Sequence, residues 1–168
     1  ACAVNQAELE MDLANYDLSE RLNDRAGKIY GELGHSLGMT YYLQNQAQNK
    51  MIAGELEAAL DSVEKALKLA KEKNLRKRVS ELLGQRATIH FFKGDFSKTF
   101  EVLTKCMNLC TDIHDDAGAS EAELKLGYVC LAMSDPDGAR EHWRKGLSYS
   151  AKTPSSEFLF WKTASEGF

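Results

Sequence analysis

The sequence predicts an all-α fold built from stacked antiparallel helical hairpins. Only two of the 168 residues are proline, and Ala, Leu, Glu and Lys are abundant, which favours helices. No stretch shows the alternation of apolar and polar residues between turn residues that is typical of strands. The stretch Ser80 to Ile113 also partly matches the chain when it is displaced by forty residues, and this match predicts a repeat.

The matching positions of the repeat keep their residue size. A helical hairpin cannot bury its apolar face alone, so successive hairpins must stack. Stacked hairpins form a superhelix with an extended concave face, which such proteins use for binding. We therefore predict a binding module and not an enzyme. Small residues recur at Gly54, Gly94 and Ser134 and at Ala66, Cys106 and Gly146, and large apolar residues recur at Val63, Leu103 and Trp143.

We predict one domain over residues 1–168. Its segments are a helix of a preceding or partial repeat at 1–22, hairpins at 28–72, 76–113 and 118–150, and a capping helix at 154–165.

The first hairpin departs from the repeat in its spacing. Gly38 and Gly54 lie sixteen residues apart, whereas seven residues separate Ala87 from Gly94. Either the first helix is two turns longer here, or the polar stretch Gln44–Lys50 is an inserted loop, and we favour the insertion. The stretch Asn23–Gly27 before this hairpin is predicted to be a turn.

The C-terminal region contains two helix start signals. Asp135-Pro136 is one, because Asp caps free amides and proline suits the first helical position. Thr153-Pro154 repeats it before the apolar run Phe158–Trp161. We predict that this run caps the last hairpin; the alternative is that it folds across the concave groove as an internal competitor for ligand.

Charge restricts the class of partner. A net charge of −4 and a pI near 5.6 argue against general nucleic-acid binding, which needs an excess of Lys and Arg. One basic cluster interrupts this balance and predicts a docking site for an acidic partner or tail, including the acidic N-terminal segment. Its members are Lys71, Lys73, Arg76, Lys77 and Arg78.

Neither a metal site nor a catalytic motif is indicated. The cysteines lack zinc-site spacing, and Cys106 and Cys110 are predicted to be buried free thiols, as expected in a reducing compartment. We find no phosphate loop, no nucleophile elbow and no metalloprotease motif, so no cofactor is expected. No signal peptide or apolar run near 18 residues is present, and we expect a cytosolic protein. The start at Ala1-Cys2 suggests a piece of a longer chain.

Several short motifs resemble the tetratricopeptide repeat (TPR) superfamily. They are Leu37-Gly38 with Tyr41, Gly94-Asp95-Phe96, Ala59 with Ala66, and Leu126-Gly127 with Ala139 and Gly146. The resemblance spans residues 28–150. The spacing of forty exceeds the usual repeat of about 34 residues and is similar to Partner-of-Inscuteable-type adaptors and kinesin light chains. It implies a right-handed superhelix and a peptide or protein partner.

In that family the exposed residues of each first helix line the concave groove. The positions carried over to this chain are His35, Met39, Tyr42, Thr88, Phe91, Phe92, Leu124 and Tyr128. The Lys and Asn clamp of the chaperone-binding branch is absent, so a chaperone-tail receptor is not expected. Two functions stay open: an adaptor that captures a partner segment in the groove, or a structural subunit of a cytoskeletal or other assembly held through its edges and cap.

Overall fold

The computed structural model describes residues 16–151. Within this range all regular elements are α-helices, so the all-α prediction is confirmed. The helices are α1 (Tyr16–Glu32), α2 (Ser36–Ile52), α3 (Leu56–Glu72), α4 (Arg76–Phe92), α5 (Phe96–Asp112), α6 (Asp116–Ala132) and α7 (Pro136–Ser150). Most of the predicted helix 1–22 and the whole predicted cap 154–165 lie outside the described residues.

The helices begin every twenty residues, because each turn between them has the same three-residue form. The middle turn residue has a positive φ, and the next residue donates its N–H to a carbonyl five residues earlier, as in a Schellman motif. At one such turn Asp95 N lies 3.0 Å from His90 O. The forty-residue repeat is thus two helices and two turns. The left-handed residues are Gly34, Gly54, Asn74, Gly94, His114 and Ser134.

Four of these turns end in a side chain that caps the next helix. Asp135 accepts a hydrogen bond from Gly138 N, and Pro136 occupies the first turn of α7, which confirms the predicted helix start. Asp95 and Asp115 act in the same way at α5 and α6. At α2 the capping atom is His35 Nδ1, which accepts from Gly38 N at 2.9 Å.

The chain divides into two compact units, residues 1–82 and 83–168. In the first, α2 packs against both α1 and α3; in the second, α6 packs against both α5 and α7. A single domain over residues 1–168 stays a prediction. The core of the first unit includes Ala47, Ala59, Val63 and Leu67, and that of the second includes Ala87, Leu103, Leu126, Val129 and Ala139.

The α6–α7 interface fixes the end of the described chain. The Trp143 indole lies against Gly127 and donates from Nε1 to Leu124 O at 3.1 Å. Further along, Ser120 Oγ donates to Gly146 O at 2.9 Å and also contacts Ser150 Oγ. The C-terminal end of α7 therefore lies beside the first turn of α6.

The predicted turn at Asn23–Gly27 is wrong, because these residues lie inside α1. Asn23 is buried and donates from Nδ2 to Tyr42 O at 3.1 Å. Gly27 lets the Tyr42 ring approach the α1 backbone, where a Cβ would meet ring carbons at 2.6 Å. Residues typical of turns here serve contacts between helices.

The predicted loop at Gln44–Lys50 is also wrong, since α2 is continuous through it. The motifs Leu37-Gly38 and Leu126-Gly127 suggest that Gly38 corresponds to Gly127. The residue forty positions before Ala87 is instead the fully buried Ala47. The polar side chains bond across to α3: Ser62 Oγ donates to Gln46 Oε1 and accepts from Lys50 Nζ, both at 3.0 Å. The first hairpin therefore consists of α2 and α3, and its forty-residue spacing is regular.

Candidate partner-binding site

The second unit contains an apolar cavity of about 570 Å³ between the C-terminal halves of α4 and α6. Its volume lies within the roughly 300–1,000 Å³ typical of ligand pockets. Helix α5 contributes Thr99 and Leu103. The other lining residues are Ala87, Thr88, Phe91 and Phe92 of α4, and Lys125, Tyr128, Val129, Leu131 and Ala132 of α6.

Aromatic contacts hold the cavity walls. The Phe91 ring lies 5.4 Å from Phe96 at the start of α5 and 6.3 Å from Phe92. On the opposite wall the Tyr128 ring packs edge to face on Trp143 at 5.5 Å. Because such pairs add to the energy of simple burial, they stabilise both walls of the cavity.

The rim of the cavity exposes large apolar side chains to solvent. Phe92 is 61% exposed, Leu131 51% and Tyr128 45%. Met133, just beyond the end of α6, is 51% exposed as well. A contiguous group of exposed apolar side chains around a cavity is typical of a binding surface.

Few polar groups in the cavity are available to a ligand. The Thr88 hydroxyl donates to Gly84 O at 3.1 Å, and the Thr99 hydroxyl donates to Asp95 O at 2.8 Å. Lys125 supplies the positive charge at the cavity, where its Nζ pairs with Glu121 Oε1 at 2.6 Å. The site therefore favours an apolar ligand, and one edge of the cavity carries the Lys125–Glu121 ion pair.

Four of the predicted groove residues come together in this cavity, namely Thr88, Phe91, Phe92 and Tyr128. Leu124 lies on the same helix but packs against Gly146 of α7, and it does not line the cavity.

The other three predicted groove residues belong to the first unit. His35 caps α2 and stacks on Tyr30, with ring centroids 5.4 Å apart. Met39 lies against Gly31. Tyr42 lies against Gly27, where burial, with a smaller effect of Asp24, raises the pKa of its phenol.

Solved structures share this arrangement of helices, although their sequences are distant. Aspartyl phosphate phosphatase F from Bacillus subtilis superposes with a TM-score of 0.85 at 16% identity, over 96% of this chain and 43% of that one. A STAND protein with a tetratricopeptide repeat sensor from Pyrococcus horikoshii has a TM-score of 0.76 at 15% identity, over 96% and 24%. BtubC from P. vanneervenii gives 0.76 at 17%, over 89% and 61%. The fold is TPR-like.

This chain spans less than two thirds of the length of each of these three proteins. No protein-family model matches the sequence. No curated protein matches it significantly.

In the TPR-like register, α2 presents a different set of residues from the one predicted. The positions that Thr88, Phe91 and Phe92 occupy in α4 are occupied in α2 by Gln48, Met51 and Ile52. In α6 they are occupied by Tyr128, Leu131 and Ala132. Sequence reasoning missed Leu131 and the α2 positions; the twenty-residue spacing of the turn residues is the signal that finds them.

The predicted basic cluster loses one member, because Arg78 is buried at 5% exposure. Its guanidinium lies 3.8 Å from the Tyr41 ring centroid and pairs with Glu81. It also donates from Nε to Thr40 Oγ1 at 3.2 Å. Lys71, Lys73, Arg76 and Lys77 are exposed.

The cysteines of the described residues are buried free thiols, which confirms the prediction for Cys106 and Cys110. A hydrogen bond with Cys110, and then burial, raise the pKa of Cys106, so its nucleophilic thiolate is disfavoured. Residues 16–151 contain no group of three or more His, Cys, Asp or Glu side chains placed to hold a metal ion. None of their helices is long and apolar enough to cross a membrane.

Proposed function

We propose that this chain is a non-catalytic protein-interaction module that binds an apolar segment of a partner in the cavity between α4 and α6. The supporting observation is the cavity itself, which is preformed, apolar and surrounded by exposed aromatic and aliphatic side chains. The twenty-residue helix spacing supports assignment to the long-repeat kind of TPR-like adaptor. We propose that it acts in the cytosol as part of a larger complex.

The size of the cavity suits one or two large side chains of a partner. An aromatic side chain buries about 150–250 Å². At about 25 cal/mol per Å² this gives roughly 4–6 kcal/mol, before the costs of ordering and association. Two such anchors are needed for a useful affinity, so we expect a segment with two large apolar residues.

The charge at the cavity selects among such segments. Lys125 pairs with Glu121, and its side chain is still 35% exposed. A carboxylate of the partner can replace Glu121 on Lys125, because Glu121 is 66% exposed and a surface pair of this kind contributes little energy. We expect the bound segment to carry Asp or Glu beside its apolar anchors.

A second contact with an acidic partner is proposed at the exposed cations Lys71, Lys73, Arg76 and Lys77 of the first unit. Arg78 takes no part, because it is buried against Tyr41. Contacts between exposed charges mainly raise association rates, so this one would weaken strongly with added salt.

Selection of peptides on the full chain from a displayed library of random sequences tests the proposed function. We expect the selected peptides to contain two large apolar residues and an acidic one. In Tyr128→Ser and Leu131→Ser variants the affinity of a selected peptide should fall at least tenfold. These side chains are half exposed, so the variants are expected to fold.

A matched control is Leu33→Ser, which removes a side chain that is 73% exposed in the turn after α1. This variant should bind the peptide as the natural chain does. Equal binding by all three variants would refute the assignment of the cavity.

A further inference from the structure

We propose that the chain regulates its own cavity: the C-terminal segment Glu157–Lys162, with sequence EFLFWK, binds between α4 and α6 and competes with the partner. This inference rests on the proposed function of the cavity. The segment follows the last described residue, Ala151, and its sequence has the chemistry that the cavity favours.

The exposed apolar side chains of the second unit lie at one end of α4 and α6. Among described residues of the second unit, the large apolar side chains that are strongly exposed are Phe92, Tyr128, Leu131 and Met133. All four lie at the C-terminal ends of α4 and α6, and none lies on α7. The exposed residues of α7 are instead mostly charged or small and polar, among them Arg140, Glu141, Arg144, Lys145 and Ser148.

The absence of exposed large apolar side chains on the described part of α7 argues against the predicted cap on this helix. Phe158, Leu159, Phe160 and Trp161 form a continuous apolar run that gains most by leaving water. The outward side of α7 offers charge, whereas the cavity rim offers apolar surface. The cavity is therefore the better match for the run.

The chain between the end of α7 and Phe158 is long enough to span the distance to the cavity. The end of α7 lies beside Ser120, at the first turn of α6. Eight helical residues separate Ser120 from Tyr128, a rise of about 12 Å, and a step to the neighbouring helix adds about 8–10 Å sideways. The resulting span is about 15 Å. Residues 152–157 can extend to about 20 Å, so Phe158 reaches the cavity.

Residue 154 departs from the residue pattern of the repeated turn. The left-handed turn residues occur at position 34 and every twenty residues up to Ser134, and the next position in the series is Pro154. The proline ring holds φ near −65°, so the left-handed conformation is not available to it. Proline at position 154 therefore cannot supply the left-handed residue that the earlier turns contain.

Charge agrees with this placement. The apolar run is preceded by Glu157 and followed by Lys162. The cavity edge presents Lys125, paired with Glu121 one helical turn away. In this placement Glu157 would replace the exposed Glu121 on Lys125.

A fluorescently labelled peptide with the sequence of residues 154–168 tests the proposal. It is titrated into the natural full chain and into a full chain with Phe158→Ser, Phe160→Ser and Trp161→Ser. A tethered segment has a high effective concentration at its own site. The peptide should therefore bind the triple variant at least tenfold more tightly than the natural chain.

Two further variants identify the site on the triple-variant background. Adding Leu131→Asp should weaken peptide binding at least tenfold, whereas adding Leu33→Asp should leave it unchanged. Equal peptide affinity for the natural chain and the triple variant would overturn the proposal. So would insensitivity to Leu131→Asp, which is the result expected if the segment is a cap on α7.

The outcomes also separate this inference from the proposed function. If a library-selected peptide binds the cavity but the 154–168 peptide does not, self-regulation is wrong and the proposed function stands. If neither peptide binds the triple variant, both are wrong. Light scattering is the last check: a dimer that dissociates in the triple variant would put the segment in the cavity of a second copy and overturn binding within one chain.

Discussion

Glycine residues meet aromatic rings between neighbouring helices in both units. Gly27 accommodates Tyr42, Gly38 accommodates Tyr30, and Gly127 accommodates Trp143. Each glycine lets a ring approach the backbone more closely than a Cβ would allow. The sequence predicted that small residues recur at packing positions; it did not predict which ring meets which glycine, because that depends on how the two helices cross.

Replacement of Gly127 by alanine tests this residue-scale packing. The new Cβ would overlap the Trp143 indole, a rigid group fixed by its bond to Leu124 O. We expect the free energy of unfolding to fall by about 1–3 kcal/mol in urea denaturation. The matched control is Gly84→Ala, whose Cβ would meet only Lys125 Nζ at 3.8 Å. It should be neutral or raise stability by up to about 1 kcal/mol.

Arg78 shows why a charge cluster in a sequence is an uncertain guide to surface. Five cations occur among residues 71–78, and the structure buries one of them. Arg78→Ala would leave Thr40 and Gln44 without their buried donor, so we expect a loss of about 2–4 kcal/mol of stability. Lys77→Ala, an exposed neighbour, should change the free energy of unfolding by about 0.5 kcal/mol or less. Equal effects in the two variants would contradict the structure.

Protonation of His90 contributes to the loss of stability on acidification. Burial, and then the charge of Arg86, lower its pKa below the usual value. The unfolded chain therefore binds more protons between the lowered pKa and about 6.5. The stability that neutral His90 contributes is present above pH 6.5, is lost as pH falls through that window, and changes no further below it. Urea denaturation between pH 7.5 and 5 should show a smaller loss for His90→Gln than for the natural chain.

At the scale of the element, the repeated turn determines the register of the helices. Gly34, Gly54 and Gly94 supply three of the left-handed residues at no steric cost. Asn74, His114 and Ser134 supply the others. Gly54, Gly94 and Ser134 recur every forty residues, and this recurrence predicts the hairpins. The twenty-residue period is not visible in the sequence, because Asn74 and His114 are different residue types from glycine although they adopt the same conformation.

The turn residues should respond to substitution in a fixed order. His114→Gly and Ser134→Gly remove a left-handed residue with a Cβ, and each should raise the free energy of unfolding by about 0.5–1 kcal/mol. Asn74→Gly should gain less, because asparagine tolerates this conformation. Gly94→Ala should lose about 1 kcal/mol. A gain at Asn74 larger than the gain at His114 would contradict the turn geometry.

At the scale of the whole chain, the repeat and the helical class follow from the sequence, and the location of the cavity does not. The recurrence of small and large apolar residues at positions forty apart is sufficient to predict the hairpins. The cavity depends on how far α4 and α6 separate near their C-terminal ends, where the buried residues Ala87, Leu103 and Val129 form part of its lining. Four predicted groove residues line the cavity, whereas His35, Met39 and Tyr42 belong to the first unit.

Methyl chemical-shift mapping tests the central claim, that this cavity is where a partner segment binds. A library-selected peptide is titrated into the full chain. We expect the largest changes at the methyl groups of Ala87, Thr88, Val129, Leu131 and Ala132, with little change at Ala47 and Ala59 of the first unit. Changes confined to the first unit, or spread evenly over the chain, would contradict the assignment.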